Sequence, residues 1–140
     1  MNTIKKILVD ADAFVAINDD KDPGYKKGKE FSAIIAEENY ELIISDPAFG
    51  EAVTVISQNV GLQTAIDFAK KVLASSIEII EVDSHLRKSA LDILKKQTSK
   101  NSRFTDCINM AIMKKMGLET IFSFDIQYKK NKFKRFGIDQ

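Results

Sequence analysis

Four acidic residues stand where apolar segments end or where a helix should be apolar. Asp10 directly follows Ile7-Leu8-Val9 and Asp125 directly follows Ile121-Phe122-Ser123-Phe124, so each is the first charge after a run that reads as a buried strand. Glu51 shares a helical face with Ala48, Ala52 and Val55, a poor place for a charge unless the charge is used. Asp106 falls in the first turn of a helix that follows Phe104-Thr105. Each acid has an ordinary structural role open to it. Asp106 can complement the helix dipole, worth about 0.3–1 kcal/mol; Asp10 and Asp125 can cap the helix or turn that follows; Glu51 can swing out to solvent. Gathered in one cleft, however, the four would repel one another and raise one another's pKa, an arrangement that is stable only around a cation. The chain has one histidine, His85, and one cysteine, Cys107, too few soft ligands for a zinc site. Hard oxygen donors alone select Mg²⁺ or Mn²⁺.

The elements that would position these acids alternate along the chain. Strands are expected over 4–9, 41–44, 77–82 and 120–124, with a short fifth over 133–138. Between them lie a short helix over 11–17, an amphipathic helix through Phe31, Ile34 and Ile35 ending near Asn39, and a helix opened by Asp46 as N-cap with Pro47 at its first position and stopped at Asn59-Val60-Gly61. Further helices are expected over 62–74, 83–96 and 102–116, the last closed by Gly117. Strands separated by helices need crossovers, and crossovers make a parallel sheet covered on both faces. The fold class is therefore α/β, a three-layer α/β/α sandwich around a mainly parallel sheet of four or five strands. In such a sheet the active crevice lies beyond the carboxyl ends of the strands, where strand order reverses, and that edge is where all four acids would fall.

Composition agrees with this class and removes others. The 140 residues, 44% hydrophobic and 29% charged with 6 Gly and 2 Pro, fit one ordinary globular domain over 1–140. The lysine-bearing start over 1–6 leads into only Ile7-Leu8-Val9 before Asp10, too short for a signal-peptide core or a spanning helix, so no membrane role and a cytoplasmic location are expected. Charge is unevenly spread: residues 1–94 carry 10 Lys and Arg against 16 Asp and Glu, and residues 95–140 carry 11 against 4. The basic end suits either a solvated surface or a patch for a polyanion. His85 reads as a surface or capping residue, Cys107 as a small apolar one, and Met110, Met113 and Met116 as core or a dimer face; Phe31, Phe49, Phe68 and Phe104 are core candidates, with Phe133 and Phe136 packing the tail.

Taken together, Ile7-Leu8-Val9-Asp10-Ala11-Asp12-Ala13-Phe14, the helix-borne Glu51, the segment from Phe104-Thr105-Asp106 through Asn109 to Met113, and Ile121-Phe122-Ser123-Phe124-Asp125 resemble the ordered acidic motifs of the PIN-domain nucleases, and most of all the toxin ribonucleases of toxin-antitoxin pairs. The resemblance runs over nearly the whole chain. It implies that Asp10, Glu51, Asp106 and Asp125 hold one or two Mg²⁺ or Mn²⁺ ions, and that these activate water for hydrolysis of RNA phosphodiesters. Thr105 matches a position often held by a small hydroxyl residue. Asp12 stands where the family usually has Ser or Thr and supplies a fifth carboxylate; Asp22 and Tyr25 take the spacing of an Asp and His pair, and Ile126-Gln127 replace an expected Arg or His. Arg103, Lys129, Lys130 and Lys132, with Lys134 and Arg135, would then hold the RNA backbone. The resemblance also implies an inhibitory antitoxin and a homodimer.

Two other readings compete. Asp10-Ala11-Asp12 after a strand also resembles the opening of the haloacid-dehalogenase-like phosphatases, with Asp10 as nucleophile and Asp12 as acid or base, although Phe14 stands where Thr or Val is expected. A PIN-like fold can also serve as a non-catalytic module that binds RNA or protein.

Overall fold

Alternation along the central strands decides which side chain meets which layer of helices. The computed structural model describes residues 4–139; positions 1–3 of the lysine-bearing start and Gln140 lie outside the described residues. The order is β1 (Lys6–Val9), α1 (Ala11–Asn18), α2 (Tyr25–Glu37), β2 (Glu41–Ser45), α3 (Asp46–Asn59), α4 (Leu62–Ala74), β3 (Glu78–Ile80), α5 (Ser84–Lys95), α6 (Phe104–Met116), β4 (Thr120–Phe122), α7 (Ile126–Lys130) and β5 (Lys134–Arg135). The sheet runs β3-β2-β1-β4-β5, with every neighbouring pair parallel. Ile7, Val9, Ile44 and Phe122 point to one face and pack with Phe14, Phe31, Ile35, Ile56 and Phe68 of α1 to α4. Leu8, Ile43 and Ile121 point to the other face and pack with Leu86, Ile93, Ile112 and Met113 of α5 and α6 and with Tyr128 of α7. The period of two in the strands thus makes two cores and the expected three-layer sandwich.

The chain lays down β1, β2 and β3 toward one edge and then crosses back to place β4 and β5 on the other side of β1. The reversal falls between β1 and β4, so the strands that end in Asp10 and precede Asp125 are neighbours at the switch point.

Several local expectations shift. Ser45, not Asp46, caps α3, its hydroxyl accepting the Ala48 N–H at 3.3 Å; Asp46 becomes the first helical residue and Pro47 the second. The third strand spans only Glu78–Ile80, and α6 begins at Phe104, two residues later than expected. Phe104 is 40% exposed and is not a core residue, because the first helical turn turns it out to solvent, whereas Phe31 and Phe68 are buried and Phe49 packs at the edge of the same core. Met110 and Met113 are fully buried and Met116 lines the second core, so the methionine stripe is packing. β4 stops at Phe122, short of the expected strand end at residue 124, because Ser123 and the Phe124 N–H turn to Asp12. The unforeseen helix α7 follows, capped by Asp125. Among the described residues no helix is long and apolar enough to cross a membrane.

Two glycines mark opposite limits of tolerance. Gly137 has φ +76° and a Cβ there would overlap the Phe31 ring, whereas Gly50 sits on the open side of α3 with nothing near. Gly137→Ala is therefore expected to lower unfolding free energy by about 2 kcal/mol or more, and Gly50→Ala to raise it by about 0.5–1 kcal/mol. Urea denaturation reads both; equal effects would contradict the assignment.

Candidate active site

The sheet's parallel carboxyl ends open into a cleft of about 670 Å³ lined by Asp10, Asp12, Glu51, Asp106 and Asp125, with Arg103, Lys27 and Asn59 on its walls. Asp10 leaves β1 in extended conformation and caps α1, its Oδ1 accepting the Ala11 N–H at 2.8 Å. Asp12 lies in the first turn of α1, Glu51 in the second turn of α3, and Asp106 at the third position of α6. Asp125 caps α7, accepting the Gln127 N–H at 2.9 Å. Capping and cleft placement therefore coincide in Asp10 and Asp125; the ordinary role does not displace the special one.

Burial makes this a high-energy arrangement. Asp10 is 5% exposed and Asp106 3%. Asp10 accepts from Asn109 Nδ2 at 3.1 Å on Oδ1 and from the Tyr128 hydroxyl at 2.8 Å on Oδ2, while the same hydroxyl lies 3.3 Å from Asp106 Oδ1. Asp106 Oδ2 reaches back to the Arg103 N–H at 3.4 Å. Asp12 Oδ2 accepts from the Phe124 N–H at 2.8 Å and the Ser123 hydroxyl at 3.0 Å, which ties the end of β1 to the end of β4, but its Oδ1 is buried with no partner. Burial, then the charge of Asp10, pushes Asp12 up to about 7; burial, then Asp10 and Asp125, pushes Asp106 up to about 7. Asp10 is raised too, chiefly by burial and against the pull of the Tyr128 hydrogen bond. Tyr128 is held well above its ordinary range by burial and by the Asp10 and Asp106 charges, so it stays a donor.

Glu51 differs from the others. Its Oε1 meets Arg103 Nη1 at 2.8 Å across the cleft, so a cation from this chain already faces it. Among the described residues no three acids are drawn together closely enough to hold one ion in common; Asp10 and Asp106 both face the Tyr128 hydroxyl, and Asp10 and Asp12 both face the Ser123 hydroxyl. The donor set nevertheless fits a hard divalent cation. The cleft is lined by oxygen donors with no histidine or cysteine, three of its acids are destabilised by burial and mutual charge, and one buried carboxylate oxygen lacks a partner.

Other expected residues are less central. Thr105 is half-buried and outside the cleft lining. Lys129, Lys130 and Lys132 are exposed at the C-terminal end of α7, the end away from Asp125 and outside the cleft lining, with Lys129 3.9 Å from Asp139. Arg135 is not a surface cation: it pairs with Asp139 at 2.8 Å and donates to the Phe124 carbonyl. Asp22 lines the cleft and accepts the Gly24 N–H at 2.7 Å, while Tyr25 does not line it. Cys107 is fully buried, with its thiol pushed up by burial and the Asp106 charge, and His85 is exposed. Sequence reasoning gave no role to Asn109, though it stands in the quoted motif, and missed Tyr128, Ser45 and Lys27. Two of them carry a signal: Asn109 is the one amide in the buried run from Cys107 to Met113 and falls one turn after Asp106, and Tyr128 falls one turn after Asp125.

Comparison with known proteins agrees with this geometry. Residues 7–134 match the PIN domain. The 23S rRNA-specific endonuclease VapC20 of Mycobacterium tuberculosis, from strains CDC 1551 / Oshkosh and ATCC 25618 / H37Rv, is 23% identical over 119 residues, covering 85% of this chain and 88% of that protein. The crystal structure of M. tuberculosis VapC20, described as a Sarcin-Ricin loop cleaving toxin, superposes with a TM-score of 0.81 at 21% identity over 91% of this chain and 95% of that one. VapBC2 from Rickettsia felis, bound to a DNA fragment from their promoter, superposes with a TM-score of 0.60 at 15% identity over 89% and 92%.

The raised acids set a pH dependence. A carboxyl group whose folded pKa exceeds its unfolded value adds no penalty below the unfolded value, and the penalty is complete above the folded one. For Asp12 and Asp106 the window runs from their ordinary range, about 4, up to about 7. Metal-free protein should be more stable at pH 5 than at pH 8, and Asp106→Asn should raise the melting temperature at pH 8 by about 3–8 °C while leaving that at pH 4 nearly unchanged. Thermal unfolding in EDTA at the two pH values checks this; a variant that melts lower at pH 8 would contradict it.

Proposed function

Because this chain belongs to the PIN domain family, we propose that it is a Mg²⁺- or Mn²⁺-dependent endoribonuclease, the toxin of a toxin-antitoxin pair. The observation that carries the proposal is the set of buried, mutually destabilised carboxylates at the β1/β4 switch point, which a divalent cation would convert into a favourable site able to receive a phosphodiester. The 23S rRNA specificity of VapC20, similar over 85% of this chain, supports RNA as the substrate class, and the VapBC2 complex supports an antitoxin as partner. A homodimer and a cytoplasmic location belong to the same reading. The family match takes the place of the phosphatase alternative, in which Asp12 would need a free carboxyl group; here its Oδ2 is held by Phe124 and Ser123.

Mechanism follows from what each side chain can do. Asp10 and Asp106 would hold the cation directly, with Asp125 and Glu51 reaching it from the rim through water and Asp12 as an accessory, while Thr105, outside the cleft lining, would support α6 behind them. A divalent cation held there would supply a water of lowered pKa and would offset charge gathering on the phosphate. Arg103 moves between Glu51 and the incoming backbone: its side chain is 67% exposed and needs only to leave one carboxylate for a phosphate. Lys129 and Lys130 in the last turn of α7 and Lys132 just after it add positive charge for the backbone, so that RNA binding weakens with salt. No side-chain nucleophile is required, since water attacks.

Labelled structured and single-stranded RNAs, including fragments of ribosomal RNA, test the reading. Cleavage should need Mg²⁺ or Mn²⁺, stop in EDTA, and fall at least about 100-fold in Asp106→Asn. RNA bound but not cut with either ion would support the non-catalytic module instead.

A further inference from the structure

Ser45, Asn109 and Tyr128 are polar yet fully buried, and they join the elements that carry the acids. Ser45 caps α3, the helix of Glu51, and its hydroxyl donates to Asn109 Oδ1 at 2.7 Å. That contact fixes the Asn109 amide, because the reversed amide would turn its oxygen onto the Asp10 carboxylate. Both Nδ2 hydrogens are then used, one for Asp10 Oδ1 at 3.1 Å and one for the Tyr128 oxygen at 2.9 Å. Accepting from Asn109, the phenol must aim its single proton outward. Asp10 Oδ2 at 2.8 Å takes it ahead of Asp106 Oδ1 at 3.3 Å. The donors therefore run in one direction, from Ser45 to Asn109 to Tyr128 to Asp10.

The result at Asp10 is a count of lone pairs. Oδ1 accepts from Ala11 and Asn109 and is full; Oδ2 accepts from Tyr128 and keeps one direction open. Ser123, 3.5 Å from Oδ2, commits its proton to Asp12 at 3.0 Å instead. We propose that Tyr128, oriented by Asn109 and Ser45, is a positioning residue that holds Asp10 ready to offer a single oxygen to the divalent cation and so sets the affinity of the site. This rests on the metal-dependent reading above. The Tyr128 oxygen also lies 3.3 Å from Asp106 Oδ1, but its one proton goes to Asp10. Tyr128 lines no part of the cleft.

Tyr128→Phe keeps the buried ring and removes only the hydroxyl. Titration calorimetry of Mn²⁺ into the metal-free protein should show a Kd about 10- to 100-fold weaker than wild type, while RNA affinity measured in EDTA stays within about twofold, the readout that a merely misfolded variant would not preserve. Asn109→Ala, which frees the phenol to rotate, should weaken Mn²⁺ in the same direction and carries the test should the first variant not fold. A folded Tyr128→Phe protein with an unchanged Mn²⁺ Kd overturns the assignment and leaves Tyr128 as core packing. Wild type that binds no Mn²⁺ overturns both this inference and the metal-dependent reading; wild type that binds Mn²⁺ but cuts no RNA removes only the ribonuclease, and the Kd ratio still decides the role of Tyr128.

Discussion

Burying several carboxylates within one cleft is unfavourable twice over, since each loses water and each feels the others, and the rest of the site is arranged around that penalty. Asp10 shows how the chain meets it without a cation: two backbone or amide N–H groups and a phenol supply charge-assisted hydrogen bonds to the carboxylate. Asp12 shows where the compensation stops, with one oxygen held and the other bare. Glu51, nearer solvent, is met by an arginine from the opposite wall. The three solutions grade from interior to rim, and the unmet remainder is what a divalent ion would supply.

The fold makes this crowding possible. Neighbouring parallel strands put the residues after β1 and β4 side by side, while the crossovers bring the first turns of α3 and α6 to the same edge. Helix starts there present unpaired N–H groups that favour anions, so an acid can be a cap and a cleft residue at once, as Asp10 and Asp125 are. Stability and function therefore pull in opposite directions at these positions, and the surrounding apolar layers, with Leu8, Ile43 and Ile121 fully shielded on one face and Ile7, Val9 and Ile44 on the other, carry the fold.

Much of this was legible in the residues themselves. The layers followed from strand alternation and helix period, and the acids announced themselves as charges at the ends of apolar runs. What escaped was of another kind. The cap of α3 slid by one residue because serine competes with aspartate for the same N–H groups. Helix α7 is a five-residue element, too short to show a period. Phe104 looked like core because hydrophobicity does not say which way a first helical turn faces. Asn109 and Tyr128 fall one turn after Asp106 and Asp125, but their hydrogen bonds to Asp10 reach across 99 and 118 positions of sequence, which no local spacing encodes. Arg135 has the type and neighbours of a surface cation, and only the fold brings it onto Asp139, whose carboxyl that guanidinium holds down to about 2.

The central claim is that the buried acids at the β1/β4 edge form one divalent-cation site. Anomalous diffraction at the manganese edge from crystals soaked in Mn²⁺ tests it most directly. The account predicts a peak in the cleft within about 2.0–2.3 Å of Asp10 Oδ2 and of an Asp106 oxygen. A cleft without anomalous density at saturating Mn²⁺, or density held only by Glu51 and Asp125 at the rim, would contradict it.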